Sequence, residues 1–591
     1  KLQNVSIEAL DGNANIVSGN DVEGALNVHT VGVVGKALTI TNVAIGALND
    51  IVIDQNLQAK GDITITNNET DINLDANSTI QSDTGNVTVI SESNVISAGA
   101  IKAAKDVALT ATNNITVNSG AITAAAGDVS MTAGQAVTVN AGNITANASD
   151  TVAYSGNVNM TAASNATIEN GTFDAVKVDV TAEKLTVNNG TITANTVSAN
   201  KDMALAGGNV NAANITAGGA MAITGSTVDT GNDNGFVSAN SINMTASEVK
   251  GEALTITATG NYEQSGGKVG ATELTLGAQN ATISGTSEII AQTATFATGN
   301  DFAFSGKSLT ANNALTLTAA NNAIISGGAV SGGAATITAK DATISGGDIT
   351  VTTLDINTSN DAIISGGKIN ASVIDINATN TARITNGQIT ANDINMDAKN
   401  AMISGGNIHV NAVAGQDNTG KATVQATDDL VISGGQLTGK EFAFHAHNIT
   451  MNNGRVGDFD SAASNEKITL NADDKLIINN GTLLNTNAGD AIQLQADTVK
   501  VNGGEVGSKA VSVNATNDMQ FNGGLVHADE VHLASAQGTI TQQYDNAAAV
   551  NGGLVYADDL YITANKVPSD TLTVDLGSKN NHLSNVFITD G

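Results

Sequence analysis

The chain of 591 residues sets 56 acidic against 24 basic side chains for a net charge of −32, with one proline, no cysteine, no tryptophan and 3% aromatics. This composition excludes disulfide staples and thiol chemistry, and its acidity, with Arg383 and Arg455 as the only arginines, excludes a surface built to hold nucleic acid or anionic lipid. Several ordinary globular domains would need bulky aromatic anchors and proline-punctuated loops; a narrow core of Ala, Val, Ile and Leu fits the 41% hydrophobic content better.

In chain order, residues 1–60 have long apolar runs and little internal repetition, and are expected to be an atypical capping or assembly segment. Lys1 opens directly into a strand-like pattern without a signal-peptide layout, which predicts a mature or trimmed chain. No apolar run reaches bilayer length, so membrane insertion is not expected.

Residues 61–565 carry the repeat. Gly99, Gly120, Gly142, Gly171 and Gly190 follow one another at intervals of 21, 22, 29 and 19. A cassette then recurs in which an apolar pair precedes Ser, Thr or Asn and a Gly or Asn-Gly corner, as in Ile325-Ser326-Gly327-Gly328 and Ile384-Thr385-Asn386-Gly387. From Ser265 through Ser284, Ser305, Ser326, Ser345, Ser365 and Thr385 to Ser404 its intervals are 19, 21, 21, 19, 20, 20 and 19. Beyond Ser404 the cassette continues at Ser433, Asn452, Asn479, Asn502, Asn522 and Asn551. Intervals of 27 and 29 there predict insertions near 405–430, 453–476 and 523–548.

Between cassettes the residues alternate apolar and polar, as in Leu354-Asp355-Ile356-Asn357, which is the signal of a half-buried strand; no helical spacing is sustained. A repeat of about twenty residues holding two or three short strands predicts one turn of a parallel β-solenoid, each strand pairing about 4.8 Å from its equivalents. The fold class expected is therefore all-β, a single long right-handed parallel β-helix of roughly 28 coils and on the order of 130 to 140 Å long. The double Gly is read as a corner requiring positive φ. Asn188-Asn189, Asn452-Asn453 and Asn479-Asn480 are candidates for hydrogen-bonded amide ladders. Residues 566–591, with the lone Pro568, are expected to form a C-terminal capping or assembly segment.

No catalytic, cofactor-binding or metal residue is singled out. His445 and His447 share one strand face beside Glu441, but a third ligand at regular spacing is missing. His29, His409, His527, His532 and His582 stand apart from any nucleophile. The doublets Asp428-Asp429, Asp473-Asp474 and Asp558-Asp559 fall at one phase of the repeat, which predicts a turn role. No cofactor is implied; Ca²⁺ bridging neighbouring acidic chains stays open.

The period near twenty, the alternating Val/Ile/Thr strands, the Ile-Ser-Gly-Gly and Asn-Asn-Gly corners and the scarcity of Cys, Trp and Pro together resemble the passenger shafts of filamentous haemagglutinin-like exoproteins and related autotransporter adhesins. Two departures stand out: the proline-containing secretion motifs of such exoproteins do not fit a chain with one proline, and no C-terminal membrane barrel is visible. The resemblance implies a secreted bacterial cell-surface protein that is structural or adhesive, not an enzyme. Its expected partners are itself, end to end, and host or bacterial glycans or proteins, with no nucleic acid. The alternative is a polysaccharide-binding or polysaccharide-cleaving β-helix, a lyase or glycoside hydrolase, with its groove built by the insertions.

Overall fold

The computed structural model describes residues 7–9, 14–18, 26–28, 31–33, 38–42, 50–146, 156–231, 234–410, 420–457, 467–485, 491–542, 554–564 and 582–590. Every strand pairing given among them is parallel, and they contain no helix. Two compact units, Lys1–Ala291 and Gln292–Gly591, are built on one plan.

In the first unit a coil holds three short strands, such as Thr79–Ser82, Val87–Ser91 and Val95–Ser97. These pair one coil on with Ala100–Ala103, Val107–Ala111 and Ile115–Val117. The alternation seen in the sequence decides what goes inside: Val87, Val89, Val107, Leu109, Val129 and Met131 point inward at 2% exposure or less, while the Thr and Ser between them face out. Registered β-branched side chains stack on the pleated inner face, which is where such residues pack best. Parallel pairing also reaches back to Ile7–Ala9, whose partner is Val31–Val33.

The second unit uses the same three legs with two of them run together across a bend, as in Ala329–Ala339 followed by Asp341–Ile344. Its inner columns run Ile337, Ile356, Ile376, Met396, Val424 and Phe444, one per coil. Within this core Phe442 and Phe444 meet edge to face at 5.9 Å, a favoured arrangement of ring quadrupoles.

The Gly-Gly cassettes turn the corners as expected. Gly328, Gly347, Gly367 and Gly406 all have φ between +73° and +89°, and a Cβ at Gly328 would lie 2.0 Å from the Gly306 carbonyl oxygen. The Ser beside each corner continues the ladder, with Ser345 N donating to Ile325 O at 2.9 Å and Ser404 N to Ile384 O at 2.9 Å.

Three expectations need correction. About 23 turns at about 20 residues apart are described, fewer than the roughly 28 from dividing length by twenty. Several steps are longer than the mean, for example 29 from Met131 to Met160 and 28 from Ile394 to Ala422. Most of the extra residues in the predicted insertions (411–419, 458–466 and 543–553) lie outside the described residues. The Asn188-Asn189 pair is no amide ladder: Asn188 stacks between Glu169 and Ala206. Asn189, at φ +50°, instead belongs to a left-handed corner shared by Asn170, Gly207 and Gly225. The acidic doublets do not share a phase either. Asp473-Asp474 lies inside the strand Lys467–Ile478 where the register slips opposite Ala446 and Asn448, whereas Asp559, in the middle of Leu554–Ala564, registers with Glu530 and through it with a different column.

Candidate functional site

Parallel, in-register coils turn each outward position into a column of like residues about 4.8 Å apart. In the second unit one column runs Thr336, Asp355, Asp375 and Asn395, and the next runs Thr338, Asn357, Asn377 and Asp397. Asn377 Nδ2 donates to Asn357 Oδ1 at 3.0 Å and Asn395 Nδ2 to Asp375 Oδ1 at 2.7 Å. Partial burial, then the stacked Asp375 carboxylate and a hydrogen bond with it, push the Asp355 carboxyl up from its usual range, against a weaker pull from Thr336.

Beside the second of these columns the surface folds into a groove of about 670 Å³. One wall is the Thr338, Asn357, Asn377 and Asp397 column, and the other is the turn ridge of Lys340, Ser359 and Thr379. The floor carries small residues at the corner positions, Ala319, Ala339, Thr358 and Ala378, each 3–7% exposed. A separate groove of about 630 Å³ in the first unit lies between Asn214, Asn234, Glu252 and Glu273. Phe236, 36% exposed, faces outward from a neighbouring coil position there.

Amide ladders form at two of the three predicted places. Asn479 Nδ2 donates to Asn452 Oδ1 at 2.6 Å, Asn502 Nδ2 to Asn479 Oδ1 at 2.9 Å, and Asn522 Nδ2 to Asn502 Oδ1 at 2.7 Å. A related device unforeseen in the sequence uses side-chain oxygens as caps for the next coil. Asp62, Asn86, Asp106 and Asp128 each accept the backbone N–H of the residue stacked on them, at 2.7–3.0 Å. These acceptor columns hold their carboxylates close to N–H donors, which offsets part of the like-charge repulsion between coils.

His445 and His447 do face outward, opposite buried Phe442 and Phe444. His445 Nδ1 meets Asn471 O at 3.2 Å and its Nε2 lies 3.8 Å from Asp473. Among the described residues no group of three or more His, Cys, Asp or Glu is placed to hold a metal ion. His409 Nδ1 meets Thr438 Oγ1 at 2.6 Å, His527 meets Glu505 at 3.0 Å, and His532 bonds Glu530 while stacking flat on Tyr561 at 4.5 Å. His29 lies outside the described residues, and of His582 only the backbone is described. Among the described residues no helix is long and apolar enough to cross a membrane.

The groove and the Asp355–Asp375 stack escape a scan for motifs because neither is local in sequence. The available signal was the interval itself: Asp355, Asp375 and Asn395, like Asn357, Asn377 and Asp397, recur at twenty residues with polar identity kept. Neither a family model, nor a curated protein, nor a solved structure matches this chain.

Proposed function

We propose that the chain is an extracellular structural or adhesive component of a bacterial surface, a subunit of a self-assembling surface or matrix filament or the shaft of an adhesin. The observation that carries this reading is the way outward positions are spent. Column after column goes into hydrogen bonds between coils, from the Asp62 to Asn157 cap ladder to the Asn452 to Asn522 amide ladder, which is the investment expected where stiffness along a repeat is the product. The resemblance to haemagglutinin-like shafts and the acidic surface support the same reading.

Negative-stain electron microscopy of the purified chain at micromolar concentration, with and without millimolar calcium, tests it. Uniform filaments, or surface retention without assembly, are the expected outcomes. Monodisperse particles that neither assemble nor bind cells would overturn it.

A second reading, a polysaccharide-binding or polysaccharide-cleaving β-helix, is favoured by the groove over Asn357 and Asn377. The nearby carboxyl pair fits cleavage poorly. Asp355 and Asp375 are hydrogen-bonded to each other, whereas hydrolytic carboxyls stand about 5 Å or more apart to admit a sugar or a water. Reducing-end and unsaturated-product assays on acidic and neutral polysaccharides separate this reading from the first; release of product would replace it.

A further inference from the structure

We propose that the groove beside the Thr338, Asn357, Asn377 and Asp397 column binds an extended, uncharged β-linked polysaccharide along the coil axis. This inference rests on the adhesive reading and names the ligand class and the site. The groove crosses five successive coils, from Ala319 to Asp397, so it is about 19 Å long at the inter-coil spacing. Its wall offers a hydrogen-bonding side chain on four of these coils, and the facing ridge adds Lys340, Ser359 and Thr379 on three of them.

A ligand that uses such an array must repeat at nearly the same step and present hydroxyls at every repeat. A flat β-1,4-linked pyranose chain advances by nearly one coil per ring and, although successive rings are flipped, carries hydroxyls on both edges of every ring. An extended peptide advances about 3.3 Å per residue and repeats its side-chain direction only every second residue, so it drifts out of phase with the coils. Charge narrows the class further. The groove has one cation, Lys340, which lies 4.0 Å from Asp341, and one anion, Asp397, on a chain of net charge −32 that repels polyanions.

The floor favours the same ligand. Ala319, Ala339 and Ala378, with Thr358 between the last two, keep the trough open to the edge of a sugar ring while their methyl groups supply apolar contact.

Isothermal titration of the full chain with cellohexaose, maltohexaose and polygalacturonate tests the proposal. Cellohexaose should bind, while the curved α-linked chain and the polyanion should not. The double variant Asn357→Ala/Asn377→Ala should bind cellohexaose at least 10-fold more weakly. Ser359→Trp, on an exposed turn and so compatible with the fold, should block it by filling the trough, with far-UV circular dichroism unchanged for both. No heat with cellohexaose, equal affinity in both variants, or preference for polygalacturonate would overturn the groove assignment. Electron microscopy of the same samples keeps the two readings apart: assembly without cellohexaose binding sinks the groove alone, and cellohexaose binding without assembly or cell retention sinks the adhesive reading alone.

Discussion

Substituting Asn479 should show what an amide ladder contributes to a solenoid. Its side chain donates to Asn452 Oδ1 at 2.6 Å and accepts from Asn502 Nδ2 at 2.9 Å, so Asn479→Ala removes two bonds and Asn479→Asp removes only the donated one. At roughly 1 kcal/mol net for each neutral hydrogen bond, the alanine variant should lose about 2 kcal/mol of local stability and the aspartate variant about 1 kcal/mol. A global melting curve is the wrong readout, because a long repeat array need not unfold in one step. Native-state hydrogen exchange reads the effect directly at the Asn479 amide, bonded to Met451 O at 2.8 Å, and the Asn502 amide, bonded to Ile478 O at 2.7 Å. Exchange there should quicken about 30-fold in Asn479→Ala and about 5-fold in Asn479→Asp, while peptides near Ile337 stay unchanged because each coil touches only its neighbours. Equal protection in both variants and the parent would refute the idea that these exposed amides bind the coils together.

Tyr262→Phe should destabilise its coil by about 1–3 kcal/mol, because the buried Tyr262 hydroxyl donates to Gln264 Oε1 at 2.9 Å and its loss strands a buried amide oxygen; exchange at the Tyr262–Ala281 ladder measures this, and an unchanged rate would count against it. Burial and the Asp375 charge raise the folded carboxyl of Asp355 above its ordinary 3.8, so its favourable contribution is present below the unfolded value and lost as pH rises through the folded one. Asp355→Asn should therefore slow local exchange at pH 7 relative to the parent, with the difference vanishing near pH 3; a variant that exchanges faster at pH 7 would show that the stacked carboxyls attract rather than repel.

Much of the fold was legible because a β-solenoid writes its geometry into one period. The Ser265 to Ser404 intervals place the Gly328, Gly347 and Gly367 corners, and Leu354-Asp355-Ile356-Asn357 gives the correct inside and outside. What a period cannot supply is phase between coils of unequal length. Asp473-Asp474 reads like Asp558-Asp559 as a doublet before a cassette, yet the column of Asp559 runs back through Glu530, Ala510 and Ala491 to Lys467, at the other end of the leg that Asp473 follows. Asn188-Asn189 reads like Asn452-Asn453, yet the coils on either side offer Glu169 and Ala206 instead of amides. A ladder is a property of three coils at once, and a dipeptide carries only one of them.

The same logic explains why the groove occupies a limited set of coils. Its trough exists where the outward column is short, at Thr338, Asn357 and Asn377, and where the ridge opposite is Ser359 or Thr379. Beyond Asp397 the column continues as Gln425, His445, Asn471 and Gln495, three of the four longer than the asparagines of the groove, beside the corner alanines Ala426, Ala446 and Ala472. On the ridge, Lys399 leans toward Asp428 at 3.5 Å. The three-leg plan continues across these coils despite the register slip between Ala446 and Asn448, so the outward side chains help set how open the corner is. In a solenoid, a binding surface can thus be lengthened, closed or moved by single substitutions at twenty-residue intervals without altering the core that supports it.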